Sequence, residues 1–133
     1  MNGIKLTLIA LLMLVFAPCI GQSADELIGR WTADYEMDDE KFSVVYEFKY
    51  SSSRLVAYAR IIRSSGGETV PMNDLVMNDI KFLEGKGTAN YMIDYEGERY
   101  EVEAELEMTG TGKLKVSYSY YGFGDDETWV RAQ

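Results

Sequence analysis

The stretch YEVEAELEM, from Tyr100 to Met108, alternates apolar and charged side chains without a break. Tyr100, Val102, Ala104, Leu106 and Met108 fall on one face, and four glutamates fall on the other. Successive side chains of a β-strand point to opposite sides, so a period of two predicts a strand with one buried face and one wet face. The glutamates are therefore interpreted as the solvated wall of a sheet.

The same period recurs in FSVVYEFKY from Phe42 and in KLKVSYSY from Lys113, and turn residues separate the segments. Eight short strands joined by tight turns predict an all-β fold, a single eight-stranded antiparallel up-and-down barrel. The predicted strands are Gly29–Glu36, Phe42–Tyr50, Arg54–Arg63, Leu75–Leu83, Gly87–Asp94, Arg99–Met108, Lys113–Tyr121 and Asp126–Arg131. Asn and Asp weaken the fourth strand, where a bulge or a short helix is expected. The longest predicted loop is Ser64–Asn73.

Two hairpin registers can be tested against the structure. A three-residue turn at 109–111 predicts Glu107 opposite Lys113 and Glu105 opposite Lys115, which are pairs of opposite charge. A turn at Glu96-Gly97 predicts further pairs. These are Asp94 with Arg99, Tyr91 with Val102 and Ala89 with Ala104. In this register nearly every Asp and Glu points outward or lies in a turn.

The N-terminus has the pattern of a secretory signal. Lys5 precedes the apolar run Leu6–Ala17, whose 12 residues are fewer than the roughly 20 of a membrane-spanning helix. We predict a signal peptide over 1–21, a barrel domain over 22–133, and a periplasmic or extracellular protein without membrane insertion after cleavage. Lipidation at Cys19 is the less favoured alternative, because Pro18 fits poorly before a lipoprotein cysteine.

The charge and composition exclude several functions. The chain has 22 acidic and 13 basic residues, a formal net charge of −9, and no histidine. A strongly negative surface repels nucleic acid. Without histidine, and without cysteine after signal cleavage, the usual general base and metal ligands are missing. We therefore predict that the protein is not an enzyme, with no catalytic residue, no metal and no cofactor. A monomer is a separate expectation.

The two ends of the domain carry matching motifs, ELIGRW from Glu26 and ETWVR from Glu127. The first and last strands of an up-and-down barrel must pair, so these motifs meet at closure. Gly29, Trp31, Trp129 and Arg131 are predicted to close the barrel, with the Arg131 guanidinium stacked on the Trp31 indole. In the alternative register Arg131 points outward, and Thr128 and Val130 point inward. The pattern resembles the lipocalin and wider calycin arrangement.

The C-terminal half resembles a narrower group, the bacterial secreted lipocalin-like family catalogued as domain of unknown function 2147. The resemblance covers nearly all of the mature chain and is strongest after Gly87. A cysteine pair often found in that family is missing, so a cousin within the same superfold is an equal alternative. The matching positions are Asp94, Gly97, Tyr100, Leu114, Val116, Gly122, Gly124, Thr128, Trp129 and Arg131. The resemblance implies a lipocalin-like fold, and because the family has no established activity, it does not indicate one for this chain.

The leading functional hypothesis is the binding of a small apolar or aromatic ligand in the lumen. Tyrosines and alanines on the inward faces predict a lumen with hydroxyl groups and some free space. The predicted lumen residues are Tyr46, Phe48, Tyr91, Tyr100, Ala104 and Tyr118. The alternative is a protein-interaction module or inhibitor of the cell envelope that acts through its loops, including the segment around Phe123.

Overall fold

The computed structural model describes residues 24–120 and 123–132, which form a closed antiparallel barrel with consecutive strands as neighbours. This confirms the predicted fold class. The predicted signal segment 1–21 with Cys19, as well as Gly122 and the side chain of Phe123, lie outside the described residues. The strands are β1 Gly29–Met37, β2 Glu40–Ser51, β3 Arg54–Ser64, β4 Thr69–Leu83, β5 Lys86–Tyr95, β6 Glu98–Gly110, β7 Lys113–Tyr120 and β8 Phe123–Arg131.

Strand β4 differs most from its prediction. It begins at Thr69, so the predicted loop Ser64–Asn73 is wrong and only four residues, 65–68, separate β3 from β4. Val70 pairs with Ile62 and Pro71 with Ile61, next to a register shift in β3. A proline can lie in a strand beside such an irregularity because its missing N–H need not break a regular ladder.

The expected irregularity of the fourth strand is confirmed as a bulge. Asn78 pairs with Asn90 whereas Lys81 pairs with Thr88, and Asp79 between them has a positive φ of 50°. The bulge presses the Lys81 carbonyl toward β5, where a Cβ built on Gly87 would lie 1.9 Å from that oxygen. Only glycine fits at that position.

The β5–β6 register agrees with the sequence, and the β6–β7 register does not. Asp94 pairs with Arg99, and the pairs Tyr91–Val102 and Ala89–Ala104 are also present. In β6–β7, Lys115 lies opposite Glu107, Ser117 opposite Glu105, and Lys113 opposite Gly110. The predicted pairs Glu107–Lys113 and Glu105–Lys115 are therefore wrong.

The physical reason for this register error is a shorter turn combined with a bulge. The strands turn at residues 111–112, where Gly112 has a φ of 71°, and a register shift lies between Met108 and Gly110. Because the error is two residues, the faces of β6 do not change and its glutamates stay exposed.

The barrel is densely packed over the half that bears the β2–β3, β4–β5 and β6–β7 connections. Large side chains that are less than 2% exposed fill this half and the centre of the lumen. They include Leu27, Trp31, Phe48, Met77, Leu106, Leu114, Val116 and Trp129. The opposite half, which bears the β1–β2, β3–β4, β5–β6 and β7–β8 connections, contains the cavity described below.

Candidate functional site: a carboxylate among tyrosines in the open end

The floor of the barrel is closed by the two terminal motifs. The Arg131 guanidinium lies over the Trp31 ring, with Cζ 4.1 Å from the ring centroid, and it donates to the carbonyls of Ile28 (2.7 Å) and Glu26. Trp31 Nε1 donates to the carbonyl of Leu27 at 2.9 Å. This arrangement agrees with the stacked prediction and not with the alternative in which Arg131 points outward.

Gly29 permits this close approach. It has a φ of 119°, and a Cβ built there would lie 3.1 Å from Nη1 of Arg131. A side chain at this position would strain the backbone and push against the guanidinium. The floor therefore depends on a glycine, an indole and an arginine that come from opposite ends of the chain.

The open end of the barrel contains a cavity of about 310 Å³. Its walls are mainly aromatic and aliphatic, and its charged groups are three carboxylates and one guanidinium. The lining residues are Tyr35, Met37, Phe42, Val44, Tyr46, Ala59, Ile62, Met72, Asp74, Val76, Tyr91, Met92, Ile93, Asp94, Arg99, Tyr118 and Glu127.

Glu127 is the inner carboxylate, and ring side chains surround it as donors. Oε1 accepts from the hydroxyls of Tyr35 (2.6 Å) and Tyr91 (3.0 Å) and from Nε1 of Trp129 (3.1 Å). Oε2 accepts from Tyr118 at 2.8 Å and from Tyr91 at 3.2 Å. An indole N–H can only donate, so this arrangement of donors suits the ionised carboxylate, which only accepts.

Tyr46 extends the cluster by one hydrogen bond. Its hydroxyl lies 2.5 Å from the hydroxyl of Tyr35. Because Tyr35 donates its one proton to Glu127, Tyr46 is the donor of this bond. The Tyr46 ring also stacks on Trp129, with the centroids 3.9 Å apart and the planes 3° from parallel. The carboxylate is therefore held by a connected network and not by a single contact.

Burial raises the pKa of all four phenols in the cluster. Desolvation is the largest cause, and the negative charge of Glu127 acts in the same direction. The pKa of Tyr46 rises from 10.0 to about 12, and the pKa values of Tyr35, Tyr91 and Tyr118 also rise above 10.0. At neutral pH the four hydroxyls are therefore neutral and can donate to Glu127.

The seam between β1 and β8 opens next to this cluster. In the described residues, the ladder between these strands contains only the pairs Trp31–Arg131 and Thr32–Val130. Continuing that register would place Tyr35 opposite Glu127, and their side chains meet across the open seam. A lateral cleft of about 740 Å³ lies there, lined by Thr32, Asp34, Tyr35, Glu36, Asp125, Asp126, Glu127, Thr128 and Val130.

Arg99 is the one arginine among the described residues that line the cavity, and it is engaged in ion pairs at the rim. Arg99 makes two hydrogen bonds to Asp74, at 2.5 and 2.9 Å, and one to Asp94 at 3.2 Å. A bidentate pair with a carboxylate fixes the guanidinium plane. Arg99 thus ties β4, β5 and β6 together at the mouth, and its charge is balanced locally.

The structure places three of the six predicted lumen residues in the lining of the cavity and the other three outside it. Tyr46, Tyr91 and Tyr118 line the cavity. Phe48 and Ala104 are fully buried and do not line it, because they belong to the packed region. The Tyr100 hydroxyl donates to Glu98 at 2.7 Å near the rim. Trp129, predicted only as a closure residue, also contacts the cluster.

The expectation that nearly every carboxylate points outward missed Glu127. The sequence contained a signal for it, because Glu127, Trp129 and Arg131 are spaced by two and therefore share one face of a strand. Because Arg131 points inward onto Trp31, Glu127 on the same face of the strand must also point toward the lumen. Removing a carboxylate from water, even in part, is costly, and the surrounding donors offset that cost for Glu127.

Comparisons with known proteins found no matching family model, no matching curated protein and no matching solved structure. In the part of the chain that the structure describes, no helix has the length and apolar character needed to cross a membrane. The same residues contain no group of three His, Cys, Asp or Glu side chains placed to hold a metal ion.

Proposed function

We propose that this protein binds a small, largely apolar or aromatic molecule in the open end of its barrel. The observation that carries this proposal is the cavity of about 310 Å³ with aromatic walls and a few converging polar groups. Small-molecule sites are typically apolar clefts of about 300–1,000 Å³ in which a few placed polar groups fix orientation. The phenol and carboxylate cluster supplies those groups.

We also propose that the protein acts outside the cytoplasm. The support is the N-terminal sequence, a lysine followed by a short apolar run and small residues. The resemblance to a secreted lipocalin-like family supports the same location. Intact-mass analysis of protein from its own host tests this, and a product that retains Met1 would contradict it.

Ligand binding is tested with a panel of lipophilic dyes and the fluorescence of Trp129, which contacts the cluster directly. Ala59 lines the cavity, so Ala59→Phe should fill it and abolish saturable binding. Val56→Phe adds the same kind of group to the same strand at a position outside that lining, and it should leave binding unchanged. Absence of saturable binding by the parent would contradict the proposal.

Protein binding is a second candidate function, favoured by the open seam between β1 and β8. Edge strands with free N–H and C=O groups accept an extended segment of another chain. The flanking carboxylates Asp34, Glu36, Asp125 and Asp126 favour a basic segment. The seam, more than the loops, is where the structure supports this alternative.

An extended peptide of alternating lysine and valine tests the second candidate. It should bind, whereas a control peptide with prolines in place of the valines should not, because proline lacks the N–H that a ladder needs. Asp126→Lys should weaken binding of the lysine and valine peptide and leave dye binding in the lumen unchanged. Equal binding of the two peptides would show that charge alone attracts them.

A further inference from the structure

We propose that the ligand of this cavity is a cation, a small tertiary or quaternary ammonium compound with an apolar or aromatic body, and that Glu127 is its counter-charge. This inference rests on the proposed lumen-binding function and specifies its ligand class. It comes from three properties of the cavity: the balance of its charges, the nature of its walls, and the hydrogen bonds already made by Glu127.

The lining of the cavity is negatively charged. Its charged side chains are Asp74, Asp94, Arg99 and Glu127, three negative and one positive. Arg99 is engaged by both aspartates at the rim, which leaves Glu127 without a cationic partner among the described residues. An anionic ligand would enter against this charge and would find no free cation to hold it.

The walls suit an ammonium group. Tyr35, Phe42, Tyr46, Tyr91 and Tyr118 all line the cavity that contains Glu127. The faces of aromatic rings attract cations, and the attraction grows when the cation is desolvated. Aromatic rings and a carboxylate that line one cavity are the components of cages that bind methylated ammonium groups.

The hydrogen bonds of Glu127 decide between a primary amine and an alkylated one. Its two oxygens already accept from three phenols and an indole. A primary ammonium would have to displace some of these donors to place its own three N–H groups. A quaternary ammonium has no N–H to satisfy and needs only the negative field and the ring faces.

The open seam strengthens the same field. Glu127 is partly exposed, and it lines both the cavity and the lateral cleft. Asp34, Glu36, Asp125 and Asp126 line the cleft beside it, and none of the described residues that line the cleft is basic. Like charges concentrated in one region raise the local concentration of a counter-ion and its rate of association.

Three probes of nearly equal shape test the proposal on the unaltered protein by calorimetry and Trp fluorescence. They are benzyltrimethylammonium, its neutral carbon isostere neopentylbenzene, and the anion phenylmethanesulfonate. We expect the cation to bind at least about tenfold more tightly than the neutral isostere, and the anion not to bind. The preference should decrease as salt concentration rises.

Glu127→Gln then locates the counter-charge. It keeps the size of the side chain and removes its charge, so the preference for the cation over the neutral isostere should fall to about threefold or less. Glu103→Gln makes the same change on the exposed wall of β6 and should leave the preference intact. Thermal melting of both variants shows whether the fold is kept, and the three-probe comparison on the parent does not depend on either variant.

The outcomes separate the ligand class from the lumen function. Equal binding of the cation and the neutral isostere, or binding of the anion, would overturn the cation proposal and leave lumen binding standing. A cation preference that persists in Glu127→Gln would overturn the role of Glu127. No binding by any probe or dye would overturn both proposals.

Discussion

The two ends of the barrel are built from the same alternating strands but differ in what their inward side chains do. At the floor, Trp31, Phe48 and Leu114 are 0% exposed and Arg131 seals the base. At the mouth, inward side chains surround a cavity and share their hydrogen bonds with Glu127. The difference indicates that the floor closes the barrel by packing, whereas the mouth leaves space beside its polar groups.

The largest expected effect is a loss of stability at high pH that arises at the mouth. The mouth contains buried phenols, whereas the packed side chains of the floor do not titrate. The folded pKa of Tyr46 lies at about 12 and its unfolded value at 10.0. A raised folded pKa gives a contribution that is complete below pH 10 and is lost as pH rises through 12. Ionisation of Tyr46 alone should therefore lower the free energy of unfolding by about 3 kcal/mol across this window.

Tyr35, Tyr91 and Tyr118 act in the same direction, so the fold should be lost cooperatively above pH 10. Phenolate absorbance and far-ultraviolet circular dichroism, followed together against pH, check this. The phenolates of the four clustered tyrosines should appear only as the strand signal disappears. Their ionisation in a protein that keeps its strands would contradict a buried, closely coupled cluster.

Trp31→Ala tests how much the packing of the floor contributes to stability. Trp31 is fully buried, donates to Leu27 and lies under the Arg131 guanidinium. Removing a buried aromatic side chain typically costs about 3–5 kcal/mol. Chemical denaturation should show a loss of this size, whereas Tyr95→Ala, at an exposed residue of the mouth, should cost little. Equal effects would remove the distinction between the two ends.

The same substitution, alanine to phenylalanine, can be made once in the packed region and once in the cavity, which compares the two ends directly. Ala104 is 0% exposed in the packed region, so Ala104→Phe should overpack it and cost about 1–3 kcal/mol. Ala59 lines the cavity, so Ala59→Phe should cost less and should block the lumen. Denaturation and dye titration of both variants check this. Similar stability losses would mean that the cavity cannot accept a side chain.

The strand pair Ala89–Ala104 shows how much of the fold could be predicted from the sequence alone. The pairing of Ala89 with Ala104 was predictable, because turn chemistry at Glu96-Gly97 fixes the register. That this pair lies in packed space was not predictable, because neighbouring strands supply the filling side chains. Alternation assigns a residue to a face but does not state what occupies the space in front of it.

Bulges limited the prediction in a different way. A bulge adds a residue without changing the composition of a strand, so the shift near Met108 leaves a weak local signal. The irregularity near Asn78 was predictable, because Asn and Asp recur in that strand. The even shift in β6–β7 preserved every face, and the predicted solvated wall survived the wrong register. The inward Glu127 was available from its spacing to Trp129, but a general expectation about carboxylates outweighed that local pattern.

The smallest expected effect is that of Arg131→Lys, which separates the contribution of the planar guanidinium from that of its charge. Arg131→Lys keeps the positive charge, but an ammonium cannot lie flat on the Trp31 ring and reach the carbonyls of Ile28 and Glu26 together. The loss of the stack and of one hydrogen bond should cost about 1–2 kcal/mol. Thermal melting measures this loss of stability. Arg54→Lys is the matched control, because Arg54 is an exposed arginine near the same end of the barrel.

Dye binding at the mouth should be unchanged in Arg131→Lys, because no floor residue lines the cavity. A variant that melts like the parent would show that the charge near the carbonyls suffices and that the planar stack adds nothing. A variant that loses dye binding while keeping its melting temperature would show that floor and mouth are coupled through Trp129, whose ring contacts both Phe48 and the Glu127 cluster.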